Sequence, residues 1–141
     1  MDNRTWAREL AIQALHQLDT QGSDALAGID VFFRENCDCQ EVRDLADGWA
    51  RGAWENVELC DDLIQTAAIK WQMSRLCQVD RSILRLGAYQ LKFCPDIPAK
   101  VTINEAIELA KKYSGQQSPG FVNGVLDAVL KKLKQEDFNQ Q

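Results

Sequence analysis

From the first residues to Leu133 the apolar side chains recur every three or four positions, and no segment sustains a period-two alternation of β-branched residues. That pattern predicts an all-α fold of six or seven helices with no sheet. Ala7, Leu10, Ala11, Ala14, Leu15 and Leu18 share one helical face, with Gly22 just past the end. Leu26, Ile29, Phe32 and Phe33 repeat the pattern over a shorter helix, and the polar stretch 34–40 reads as a loop. From Glu41 to Ala67 the period runs on through Val42, Leu45, Ala46, Trp49, Ala53, Val57, Cys60 and Ile64 without a proline, which predicts one long helix with room for a bend.

The period fails near Trp71-Gln72-Met73-Ser74. Asp80 is then placed to cap a helix carrying Ile83, Leu84, Gly87, Ala88 and Leu91, which must end before Pro95 and Pro98. Thr102-Ile103-Asn104-Glu105 has the form of a capping box, in which two side chains satisfy free amides at a helix start. Ser118-Pro119 offers a cap with proline at the first helical position, leading Val122, Val125, Leu126, Val129 and Leu133 along one face. A single domain over 1–134 with a polar tail over 135–141 follows.

A chain of 141 residues with 26% charged residues has the composition of a folded globular domain. No apolar stretch approaches a membrane span, and Met1-Asp2-Asn3-Arg4 lacks the build of a signal peptide, so a cytoplasmic protein is expected. Five cysteines, at 37, 39, 60, 77 and 94, show no Cys-x-x-Cys spacing, and the single histidine is His16. Free thiols are expected, with no metal and no cofactor. The net charge of -5 excludes a protein that coats nucleic acid by charge alone. The charge is uneven, however: residues 1–78 hold 7 Lys and Arg against 14 Asp and Glu, whereas 79–141 hold 9 against 7.

No nucleophile elbow, phosphate loop or metal triad is legible, so no catalytic residue is expected. Glu105 and Glu108 could mimic paired carboxylates, yet Lys111 and Lys112 follow at helical pairing distance and ion pairing fits better. The helix start at Ser118-Pro119-Gly120-Phe121-Val122-Asn123-Gly124 has free amides suited to phosphate, an aromatic face and an amide edge. The competing reading makes Phe121 core and Asn123 ordinary surface.

Three stretches together resemble the NusB transcription antitermination factors. They are Ala7-Arg8-Glu9-Leu10-Ala11-Ile12-Gln13-Ala14-Leu15, the run from Val79-Asp80-Arg81 to Gln90-Leu91, and the run from Ile97-Pro98 through Asn104-Glu105-Ala106-Ile107-Glu108-Leu109-Ala110-Lys111 to Phe121-Val122-Asn123-Gly124-Val125-Leu126-Asp127. The resemblance implies two packed helical subbundles and a binding protein, not an enzyme. It implies partnership with NusE, a small-subunit ribosomal protein, on boxA-type single-stranded RNA, within the RNA polymerase antitermination complex that reads through ribosomal RNA operons.

By the same resemblance, the RNA surface would use Arg4, Arg8, Gln13, His16, Ser118, Phe121 and Asn123. Asp80, Arg81 and Arg85 would rim the partner surface on the middle helices, the alternative being a simple cap and solvated arginines. The chain departs from the family pattern in keeping only Arg4 and Arg8 of an arginine-rich start, in His16 for an aromatic, in Gln116-Gln117 for an acidic pair and in Gly120 for a basic residue. Two alternatives stand beside RNA binding. One is an interaction module that binds NusE or itself as a homodimer and has largely lost RNA. The other is the helical domain of rRNA cytosine methyltransferases, whose catalytic part would begin where this chain stops.

Overall fold

The computed structural model describes residues 2–68 and 76–139, and the expected failure of periodicity at 71–74 lies outside them. Among the described residues there are seven α-helices and no strand. Helix α1 (Asn3–Gln21) starts where the Asp2 carboxylate accepts from the Arg4 amide at 2.8 Å. It stops at Gly22, whose φ of 79° is the left-handed conformation that glycine adopts without a side-chain clash. A 3-10 segment (Ser23–Gly28) leads into α2 (Ile29–Asn36), which buries Ile29 and Phe33.

The long helix expected over 41–67 is two helices, α3 (Gln40–Glu55) and α4 (Val57–Ala67). The break is Asn56. Its side-chain amide donates to the Gly52 carbonyl at 2.8 Å, competing with the helical backbone at that carbonyl. The Asn56 carbonyl still accepts from Cys60, so the joint is a single-residue break and not a loop.

The remaining helices are α5 (Gln78–Phe93), α6 (Ala99–Tyr113) and α7 (Ser118–Asn139). Helix α6 begins at Pro98-Ala99, so the expected capping box at 102–105 lies inside it. Thr102 is buried there, and Glu105 instead accepts from Thr5 of α1 at 3.3 and 3.4 Å. The last helix carries on through 135–139, which were expected as tail, because Leu133 anchors it while the turns beyond stay exposed.

The helices form two bundles, α1 to α3 and α4 to α7, and α5 packs on members of both. Serving both leaves α5 almost no free face: Asp80, the run from Ser82 to Ala88, and Gln90 are buried. The α3–α5 contact is so close that a methyl on Gly52 would stand 2.2 Å from the Tyr89 hydroxyl and 2.4 Å from its Cζ. Gly52→Ala should therefore cost about 1–3 kcal/mol despite the better helix propensity of alanine. In a Tyr89→Ala background the same change should become neutral or stabilising. Thermal melts of the four proteins check this, and a loss that persists without the ring would refute the packing argument.

Candidate nucleic-acid interface

The residues expected to contact RNA fall at two ends of the molecule. Arg4, on the first turn of α1, has a 47% exposed side chain and a long contact of 3.8 Å to Asp96, just past the end of α5. Ser118, Phe121 and Asn123 open α7, where the Ser118 hydroxyl donates to Asp80 in the first turn of α5. Helix α5 is 16 residues long, so about 24 Å separates the two ends. Gln13 and Asn123 are exposed, and Phe121 is half-buried against the core. His16 is partly exposed, with Nδ1 buried and lacking a hydrogen-bond partner.

Arg8 overturns the expectation of a solvent-facing arginine. It is 3% exposed and lies over the ring of Trp49, 5.3 Å from its centroid. Nε and Nη2 are buried without a hydrogen-bond partner. Burial pulls its pKa below the ordinary arginine value, against the opposing pull of the Glu105 carboxylate. Arg8 is part of the α1–α3 contact, and of the two only Arg4 remains exposed.

The start of α7 is equally altered as a phosphate site. Asp80 accepts from Ser114 at 2.6 Å and from Ser118 at 2.9 Å, and the two hydroxyls lie 2.9 Å apart. A carboxylate already stands at this helix start, so a phosphate would meet repulsion there. Asp80 is not the helix cap either: α5 begins two residues earlier, with Cys77 at its N-cap.

Arg81 and Arg85 are not solvated arginines. Asp19, near the end of α1, accepts from Arg81 at 2.6 Å and from Arg85 at 2.9 Å. Arg85 also grips Asp61 of α4 through Nε and Nη2 at 2.8 and 2.9 Å. Burial alone would raise the pKa of Asp19, but the hydrogen bonds from the two arginines outweigh it and hold the carboxyl below its ordinary value. The same carboxylates raise Arg85 against the effect of its burial. This cluster ties α1, α4 and α5 together.

Between the two ends runs a groove of about 360 Å³ along α1 and α6, lined by Thr5, Glu9, Glu105, Glu108, Lys111 and Lys112 among others. Lys112 pairs with the buried Glu9 at 2.6 Å, and Lys111 with Glu108 at 3.2 Å. Both lysine side chains stay more than half exposed. The ion pairing expected of these lysines is what the structure shows, along α6 for Lys111 and across to α1 for Lys112.

The fold and site define a class: a double helical bundle locked by buried Asp–Arg pairs, with an open polar face along α1, α6 and α7. The NusB family model matches residues 5–131. A transcription antitermination protein NusB of Trichlorobacter lovleyi is 45% identical, over 97% of this chain and 96% of its own. The solved NusB of T. maritima is 36% identical with a TM-score of 0.80, covering 93% of this chain and 92% of that one. A chain in a crystal structure of the antitermination factors NusB and NusE with dsRNA is 28% identical with a TM-score of 0.83, covering 94% and 98%. The chain belongs to the NusB family.

Proposed function

We propose that this chain is a transcription antitermination factor that binds boxA-type single-stranded RNA as a heterodimer with NusE and works in the cytoplasm as part of the RNA polymerase antitermination complex. The observation that carries this is the match along nearly the whole chain to a backbone solved with NusE and RNA. The polar face supports it: Arg4, Gln13, Lys111, Lys112 and Asn123 are exposed, and two of the three helices that carry them, α6 and α7, pack on each other. The role is binding and assembly, and no helix among the described residues is long and apolar enough to cross a membrane.

With Arg8 buried and an acidic N-terminal half, the chain alone offers few phosphate contacts. Joining its surface to that of a partner raises affinity without new contacts within either. Fluorescence anisotropy of a labelled boxA-type RNA should show weak binding by the chain alone, and tighter, salt-sensitive binding with equimolar NusE. Arg4→Ala should flatten the log-log salt dependence by about 0.7, one single-strand phosphate contact. A heterodimer that forms but binds no RNA would overturn this reading in favour of the interaction module, which the burial of Arg8 favours.

A further inference from the structure

Successive residues of an α-helix lie about 100° apart, which places Gly120, Asn123, Asp127, Lys131, Lys134 and Phe138 of α7 within an arc of about 80°. All six are exposed, and the core positions Val122, Val125, Leu126, Val129 and Leu133 lie on the other side. From Asn123, in the surface assigned above to RNA, the stripe runs for roughly 22 Å to Phe138. The family model's match stops at residue 131, so the far end of the stripe lies beyond it.

The chemistry changes along the stripe. Asp127 is neutralised by Lys131 at 3.1 Å, and Lys134 forms no ion pair among the described residues. Phe138 is 78% exposed, well beyond any other large apolar side chain described, and it lines a shallow cleft of about 340 Å³ with Lys134, Gln135 and Asn139. The nearby acids keep off this face: Glu136 falls on the buried side and Asp137 at the flank. An unburied aromatic ring beside Lys134, with the Asp127-paired Lys131 about one turn away, fits a single strand, whose bases stack on the ring while its phosphates meet the lysines.

We propose that the outer stripe of α7 extends the RNA-binding surface, with Lys131 and Lys134 following the backbone and Phe138 stacking on a base outside the boxA element. This inference rests on the RNA reading above. The test compares a boxA-type RNA with the same RNA lengthened at either end by an unstructured run of uridines, titrated into the full chain with NusE. Lengthening should tighten binding, and Phe138→Ala should remove that gain, roughly tenfold, while leaving the short RNA bound as before. Phe138→Tyr should keep the gain, and Lys134→Gln should flatten the salt dependence for the long RNA by about 0.7. The proposal is overturned if lengthening brings nothing, or if Phe138→Ala changes only the sedimentation of the protein, which would make the stripe a protein contact. Failure to bind even the short RNA would instead remove the reading on which the proposal stands.

Discussion

Asp19→Ala is expected to destabilise the protein by about 3–5 kcal/mol, more than any substitution on its outer faces. The carboxyl is 12% exposed and accepts from two guanidinium groups that are themselves 14% and 10% exposed. Removing it leaves Arg81 with the Leu76 carbonyl at 3.4 Å and Arg85 with Asp61, so two buried cations keep fewer compensating contacts. A fall in melting temperature on the order of 10 °C follows for a chain of this size. Asp19→Asn keeps the shape and a hydrogen-bonding oxygen, so it should recover part of the loss.

The pH dependence fixes the cause. The folded pKa of Asp19 lies below its unfolded value, so its contribution is complete above pH ~4 and fades as pH falls through the folded pKa, where both states are protonated. The gap between the wild type and Asp19→Asn should therefore close on acidification and stay constant from pH 5 to 8. A gap that ignores pH would show that packing, and not the charge, holds these helices.

What was legible in the sequence, and what was not, divides by the distance of the cause. Most of the helices follow from the period of their apolar residues, a local property, and the Gly22 stop from local backbone freedom, whereas the period runs through Asn56 and does not show the break between α3 and α4. The identity of the family was also legible, because the three matching stretches hold its pattern in order. The misreadings of Asp80, Arg81 and Arg85 have partners far along the chain. Asp80 looks like a cap because it precedes an apolar run, but Ser114 and Ser118, which it binds, stand 34 and 38 residues away. Arg81 and Arg85 look solvated until Asp19 arrives from 62 and 66 residues upstream. On a helical projection Arg8 falls about 20° from Leu15 and about 140° and 180° from Gln13 and Gln17, at the edge of the core face. It is covered because the fully buried alanines Ala7, Ala11, Ala46, Ala50 and Ala53 let α1 and α3 approach closely enough for Trp49 to close over it.

The second large effect tests whether the two bundles fold as one. Leu84 sits in the middle of α5, fully buried, and Leu84→Ala is expected to cost about 2–5 kcal/mol. The value should fall in the upper half of that range, because the cost grows with the cavity left behind and this site is poorly able to collapse. Helix α5 is held from several sides at once by α1, α3, α4, α6 and α7, so no single neighbour can move in without leaving another. One turn further on, Gly87 already brings α5 and α7 so close that a methyl there would lie 2.8 Å from Leu126. Leu59→Ala on α4, where the side chain is 40% exposed, should cost less than about 1 kcal/mol and serves as the control. Since α5 belongs to both bundles, the Leu84→Ala transition should remain cooperative, with far-ultraviolet circular dichroism and tryptophan fluorescence, weighted to Trp6, Trp49 and Trp54 of the N-terminal bundle, moving together. A melt in which the fluorescence transition stays at the wild-type temperature while helicity falls early would mean that the N-terminal bundle stands alone and that α5 is only its neighbour.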